Sequence, residues 1–484
     1  MSAQTFGIVL IGLYILLTYG LSWIGLRKVR GLSGFSIGNK DMNAILVGIT
    51  MAASIASTAT FVINPGFVYV HGFAGYLHYG IGGMVGISAA LILLCKGFRG
   101  KGDQYGALTI PHWIMGRYGS RGLSLFFAVI NLLSITFVVL ILVGSAILCA
   151  NLFQIDQKLA LTLILLFVFS YVLMGGAYAH AYTNAFQGIM MIVIAVFLFI
   201  QGIDHFDQGF FGSLRSVSAN YAAPFNPESV LYYDFFSVLG SSFLITFALM
   251  MQPHILTKTL YLKGERDVNR FLVTALAVGF IFTFMLFIGF YAKLAGLEIE
   301  RQDQVVAVYI YEQLSGSLAG QMMLAFISVA LLAAGMSTLD GILVALSAMV
   351  VNDLYLPFTQ SGVREGPSGL ALSRYVLVGV GLIAFAIAWN PPQVVGLFAQ
   401  KGIYGLAAAS VVPITIGVLS RRRIPPWVMA VAAGIGLGGH LILNLWAGVT
   451  NPSVSASYAM LAAFGVTLTI MFFVSDDASV GGNQ

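Results

Sequence analysis

Thirteen apolar stretches follow one another along the 484 residues, at approximately 5–26, 43–70, 74–95, 122–153, 159–176, 184–203, 235–256, 271–292, 318–352, 373–390, 393–419, 426–447 and 455–475. About 20 apolar residues in helical form span the hydrocarbon core of a bilayer. Backbone groups in lipid must be satisfied within their own segment, so each stretch reads as a helix. Only 8% of the residues are charged, against about a quarter in a soluble domain. The expected class is an all-α polytopic membrane protein with about thirteen transmembrane helices, forming one integral unit with no second folded domain. Cys95 and Cys149 lie in apolar runs, so no structural disulfide is expected. The first run has neither a basic leader nor a small-residue cleavage site, so no cleavable signal peptide is expected.

The charges between the stretches set an orientation. Lys and Arg crowd the cytoplasmic ends of membrane helices. With the N-terminus outside and the C-terminus inside, the inner loops collect Arg27, Lys28, Arg30, Lys40, Lys96, Arg99, Lys101, Arg117, Arg121, Lys258, Lys263, Arg266, Arg270, Arg364, Arg374, Arg421, Arg422 and Arg423, which is 18 of the 23 basic residues. The outer side keeps Lys158, Arg215, Lys293 and Arg301. The net charge of +5 is therefore a statement about topology, not about nucleic-acid binding. The bilayer is the expected partner, and nothing indicates an obligatory protein partner.

The ninth stretch breaks the apolar pattern at its centre. In ISVALLAAGMSTLDGILVALSAMVVNDLYL, from Ile327 to Leu356, two hydroxyls and a carboxylate sit where a carboxylate costs about 2.5–3.5 kcal/mol to insert. An ion, a proton or a paired cation is expected to hold it. On a helix Ser337 and Asp340 share a face, with Thr338 offset by about 100°. The two hydroxyls and the Ala334 carbonyl make half a cage for a small hard cation, so a second helix must supply the rest. The stretch MAASIASTATFVINPGF, within residues 43–70, is the candidate. It is read as unwound near Ala53 to Ala56, with Pro65 and Gly66 bending its outer half; close packing of small residues is the other reading. Pro253 disturbs the seventh stretch in the same way. If 43–204 and 234–419 are repeats, the two interrupted helices take corresponding first positions, which points to a binding site.

These residues resemble the sodium:solute symporters, the family containing proline, pantothenate, acetate, sugar and sialic acid transporters. The resemblance runs from about Ile15 to Phe472. It rests chiefly on AAGMSTLDGILVALSAMVVNDLY (Ala333 to Tyr355), GGAYAHAYTNAFQGIMM (Gly175 to Met191) and QPHILTKTLYLKGERDVNR (Gln252 to Arg270), with a weaker echo in GLAAASVVPITIGVLSRRR (Gly405 to Arg423). It implies thirteen helices and a five-plus-five inverted-repeat core of the leucine-transporter type. Residues 1–42 would then be a peripheral helix and loop, and 424–476 two peripheral C-terminal helices. It also implies a sodium site made by Ala53 and Ala56 carbonyls, the Ala334 carbonyl, and the Ser337 and Thr338 hydroxyls. Many members carry an aspartate where this chain has Asn184, which leaves Asn184 as a neighbour of the site and Asp340 as the candidate to supply the missing charge. Proton coupling through Asp340 is the alternative.

The substrate-facing candidates are Ser57, Thr60, Phe61, Gln400, Lys401 and Tyr404, with Phe67, Tyr69 and Tyr79 as aromatic walls. Lys401 either snorkels to the interface or faces the cavity and attracts a carboxylate. His71, His78, His112, His180 and His254 lack metal-ligand spacing and are read as structural. The loop at 258–270 reads as an amphipathic junction against anionic lipid, and the acidic loop at 202–234 as a cap. There is no phosphate-binding loop and no convergent nucleophile and base, which argues against a pump driven by ATP and against an intramembrane enzyme. A chain ending in SDDASVGGNQ leaves no room for a kinase, which counts against a membrane sensor. The expected function is sodium-coupled import of a small organic solute, a monocarboxylate or amino-acid-like molecule, across a bacterial cytoplasmic membrane.

Overall fold

The computed structural model describes residues 3–153, 155–358, 367–391 and 395–473. Arg364 and positions 393–394 and 474–476 of the expected segments lie outside the described residues. Single apolar helices are α1 (Ala3–Leu26), α4 (Phe73–Tyr105), α5 (Arg121–Ala150), α6 (Gln157–Gln201), α9 (Glu265–Leu294), α10 (Leu318–Met349), α11 (Gly369–Ala388), α12 (Val395–Leu419), α13 (Pro426–Leu445) and α14 (Pro452–Phe473). Two further crossings are bent pairs: α2 (Ala44–Ile55) with α3 (Ala59–His71), at 53°, and α7 (Phe236–Leu249) with α8 (Pro253–Tyr261), at 63°.

Helix α6 accounts for two of the thirteen stretches. Its 45 residues contain one residue in a non-helical conformation, Gly176 at φ 49° and ψ −132°. In a straight helix Phe167 and Phe186 would stand about 28 Å apart. The Tyr14 ring on α1 lies 6.1 Å from Phe167 and 6.2 Å from Phe186. The run therefore doubles back at Gly176 into two apolar limbs.

Side-chain contacts sort the loops onto two faces. On one face Asp103 meets Lys40 at 2.6 Å and Arg99 at 2.9 Å, and Arg99 also donates to the Leu262 carbonyl at 2.9 Å. Arg117 reaches the Ser420 carbonyl at 3.0 Å, Arg121 the Pro357 carbonyl, and Arg374 the Met174 carbonyl at 3.3 Å. These are the loops that the charge pattern groups together. On the opposite face Tyr69 donates to the Leu297 carbonyl at 2.6 Å, and Lys158 stands over Trp389 at 4.8 Å.

The helix breaks have local causes. Asn43 starts α2 by accepting from the Ile45 and Leu46 amides. The helix ends at Ala56, whose φ −85° and ψ 73° leave the helical region, and the Ser57 hydroxyl accepts from the Ala59 amide to restart the chain. The break thus falls at 56–58, one turn later than expected at 53–56. Pro65 and Gly66 do not make the bend. Gly66 instead sits against the backbone of Gln302, where a Cβ would collide. Pro253 opens α8 at a position where its missing N–H costs nothing. Helix α6 packs against α1, α2 and α10, which brings the broken helix and the polar centre of α10 together.

Candidate functional site

At the end of α2 the helical ladder runs out, and its last carbonyls are met by the hydroxyls of α10. Ser337 Oγ lies 3.0 Å from the Ala53 carbonyl and 2.8 Å from that of Ala334. Thr338 Oγ1 donates to the Ser54 carbonyl at 3.0 Å. Ser54 Oγ donates back to the Ser337 carbonyl at 3.3 Å, and Asn184 Nδ2 donates to Ser54 Oγ at 3.0 Å and to the Ser337 carbonyl at 2.5 Å. All of these residues are buried. The structure brings Ala53, Ala334, Ser337, Thr338 and Asn184 together and adds Ser54, whose carbonyl accepts from Thr338. Ala56 is buried at the break itself. The oxygens that converge carry no formal charge, and Asn184 Oδ1 is a buried acceptor with no partner. An uncharged oxygen set with a spare acceptor suits a hard monovalent cation that must leave again.

Asp340 is not part of that set. Its Oδ2 accepts from Tyr171 at 3.2 Å, and its Oδ1 stands 2.9 Å from His180 Nδ1, which donates to the carboxylate. Asp340, expected to tune or complete the cation site, has both carboxylate oxygens engaged by α6. His180, read as structural from the sequence, is its partner. The spacing of His180 and Asn184 in AYAHAYTN, one turn apart on α6, carried the signal: one faces Asp340, the other Ser337. Lys258, placed among the solvated loop cations by its sequence, is 1% exposed.

Beside the break lies a cavity of about 150 Å³ between α2, α3, α4, α5, α7, α8 and α12. Ser54, Ser57, Thr60, Gln400 and Tyr404 line it, as do Tyr79 and Gln252. Phe61 does not: it is fully buried and packs edge-on against Phe282 at 5.3 Å. Nor does Lys401, whose side chain is exposed while its carbonyl takes the His440 ring at 3.0 Å. Adjacent positions on α12 are turned by about 100°, and here Gln400 faces the cavity while the Lys401 side chain is exposed. No Lys, Arg, Asp or Glu lines the cavity among the described residues.

On the side of the loop at 202–234 the cavity is bounded by aromatic residues. Tyr79 accepts from Tyr232 at 2.9 Å and from Gln400 at 3.3 Å. Tyr232, from the loop at 202–234, packs on His78 at 4.7 Å and His71 at 5.1 Å. His78 Nδ1 faces two carbonyls, of Ser237 and Val238, at 3.1 and 3.0 Å, so that nitrogen carries the hydrogen. Among the described residues no group of three or more His, Cys, Asp or Glu could hold a metal ion.

The family model for the sodium:solute symporter family matches residues 35–424. The chain belongs to the sodium:solute symporter family. Family members are transporters, so the chain is an integral membrane transporter and not an enzyme. It is 25% identical over 441 residues to the sodium/pantothenate symporter of Haemophilus influenzae, covering 86% of each chain. It is 24% identical to the high-affinity proline transporter of Bacillus subtilis, covering 94% of each. A Na+-coupled sialic acid symporter, solved in a substrate-bound outward-open state, shares the fold at a TM-score of 0.78 with 16% identity, over 98% of this chain and 99% of that one. A nucleobase-cation-symport-1 family transporter in a closed conformation shares it more loosely, at a TM-score of 0.54 and 12% identity over 91% and 94% of the two chains.

Proposed function

We propose that this symporter imports a small organic solute by alternating access, with sodium bound by the Ala53, Ala56 and Ala334 carbonyls and the Ser337 and Thr338 hydroxyls. The observation that carries the reading is the contact of Ser337 and Thr338 with the carbonyls at the broken end of α2. Sodium bound there joins α2 to α10 and fixes the wall of the adjoining cavity, because Ser54 belongs to both. Residues 43–204 and 234–419 act as the two repeats. The N-terminus is outside a bacterial cytoplasmic membrane, on the strength of the basic face and of bacterial relatives.

Ser57, Thr60, Gln400 and Tyr404 hold the solute. The relatives' pantothenate and proline support a small organic molecule. With Lys401 outside the cavity, a carboxylate on that molecule has the sodium ion as its cationic partner. A neutral solute carried with one sodium gains about 2.3 kcal/mol per 100 mV of membrane potential, and a monoanion gains none. A proton reading through Asp340 is weaker, since the carboxylate is held by His180 and Tyr171 and faces neither cavity nor break. The test is uptake of a panel of labelled solutes into sealed vesicles containing the purified protein. Accumulation driven by an inward sodium gradient, and not by a proton gradient, is expected. Accumulation driven by protons alone would sink the sodium reading.

A further inference from the structure

A second, smaller space of about 60 Å³ adjoins the cavity, between α2, α3, α4 and α9. Ile55, Thr60, Asn64, Tyr79 and Ile87 line both spaces, so one layer of side chains divides them. Two members of that layer are polar and unengaged. The Thr60 hydroxyl and the Asn64 amide are half-buried and have no hydrogen-bond partner among the described residues. A local irregularity of α3 sets their spacing. Ala59–Ile63 forms a single π turn, closed by the Asn64 N–H on the Ala59 carbonyl, and such turns recur at functional sites. Thr60 and Asn64 thus stand about one turn apart with both facing the two spaces.

The smaller chamber is apolar beyond that layer. Met84, Leu276, Phe282 and Leu286 wall it, and the Thr283 hydroxyl is already spent on the Phe280 carbonyl at 2.7 Å. Gly279 leaves room in it. An added Cβ there meets nothing closer than the Met84 methyl at 3.8 Å. A polar group entering such a chamber loses its hydrogen bonds with water and finds none in exchange. A hydrocarbon the size of roughly four waters fits.

We propose that the solute has two parts, a polar head in the larger cavity and a short branched aliphatic arm of about four carbons in the side chamber, with Asn64 as a solute ligand where head and arm join. The inference rests on the binding of the solute by Ser57, Thr60, Gln400 and Tyr404 and deepens it by naming the substrate class. The Asn64 amide and the Thr60 hydroxyl each offer a donor and an acceptor, which suits a hydroxyl, amide or carboxylate beside the branch point. A polyol, polar along its whole length, would strand a hydroxyl in the side chamber.

The experiment measures the rise in melting temperature of the purified full chain with three matched pairs, in sodium and in potassium at equal ionic strength. Glycine is compared with leucine, acetate with 4-methylpentanoate, and acetamide with 4-methylpentanamide, each pair differing by one isobutyl group. In at least one pair the isobutyl member is expected to half-saturate at a concentration about tenfold lower or better. Gly279→Leu, which fills the chamber, should abolish that preference. Asn64→Ala should weaken both members of the pair by about three- to tenfold and leave their ratio standing. The proposal is overturned if no pair shows the preference, or if the preference survives Gly279→Leu. Should Gly279→Leu not fold, Gly279→Ala adds a methyl for which there is room; it should reduce the preference, and full survival of the preference overturns the proposal. An isobutyl preference equal in sodium and potassium upholds the two-part solute and overturns the sodium reading instead.

Discussion

The Ser337 hydroxyl lies 3.0 Å from the Ala53 carbonyl, joining the middle of α10 to the last turn of α2 across 284 residues of chain. Serine in a helix commonly bonds back to its own carbonyls, and Ser337 does so toward Ala334. Its neighbour Thr338 reaches only across, to Ser54. The pair therefore acts between helices, where a cation would replace the hydroxyl hydrogens as the bridge. Two helices that meet through exchangeable polar contacts can part there when the ion leaves.

Ser337→Ala and Thr338→Ala each remove one donor from a buried carbonyl, at a cost of about 1–3 kcal/mol. The expected outcome is a lower melting temperature in potassium and, beyond that, loss of sodium stabilisation. At a hundred times its dissociation constant, sodium should add about 2.7 kcal/mol to the parent protein. The double variant should gain nothing. Melting curves in sodium and in potassium check this without knowledge of the solute.

Much of the fold was legible because the bilayer simplifies the problem. Apolar length marked the membrane helices, ten single ones and two bent pairs among the described residues, and the basic residues grouped the loops that the structure places on one face. The hydroxyl pair at 337–338 stood out because polar groups at membrane depth need partners. Side-chain direction was not legible. Gln400 and Lys401 are neighbours with different fates, one lining the cavity and the other exposed, and only the packing of α12 decides which faces in. Phe61, a candidate for the cavity by its sequence, packs on Phe282 instead. The His180–Asp340 pair and the burial of Lys258 arise where α6, α8 and α10 converge, at separations of up to 160 residues. No local pattern encodes such a meeting, although the one-turn spacing of His180 and Asn184 hinted at it.

Gly176 makes the hairpin within α6. At φ 49° and ψ −132° it occupies a region closed to residues with a Cβ, and an added Cβ would also meet the Phe35 carbonyl at 2.6 Å. Strain of this kind costs about 1–3 kcal/mol before the collision is counted. Gly176→Ala is expected to lower the melting temperature and the yield of folded protein. Gly465→Ala, which meets open space, should do neither. Size-exclusion profiles and melting curves of the two variants provide the comparison.

Gln400 and Lys401 separate cavity from surface. Gln400→Ala removes the donor to Tyr79 and a polar group from the cavity wall, worth about 0.5–1.5 kcal/mol net. The half-saturating solute concentration should rise by about three- to tenfold. Lys401→Gln should leave it unchanged. Initial rates of sodium-driven uptake measure both, and an effect of Lys401→Gln equal to that of Gln400→Ala would return the lysine to the cavity.

Asp103 ties the basic loops together, and its two partners should respond differently. Arg99 is 4% exposed and pairs with Asp103 at 2.9 Å, while Lys40, at 2.6 Å, has a side chain 34% exposed. Asp103→Asn leaves the buried guanidinium with the Leu262 carbonyl as its remaining strong partner. Half-buried pairs of this kind warrant about 1–3 kcal/mol, below the cost of breaking a fully buried pair. Lys40→Met should cost less than about 1 kcal/mol, because the exposed end of that bridge is screened. Lys40 also sits at φ 56°, in a left-handed conformation that costs a residue with a Cβ roughly 1–2 kcal/mol, so Lys40→Gly should lose even less. Salt distinguishes the two bridges: raising ionic strength to about 1 M shortens the screening length to about 3 Å and should erase the effect of Lys40→Met. The penalty of Asp103→Asn should largely survive, because the Arg99 end is shielded from the added ions. Melting temperatures of the three variants at low and high salt test that order.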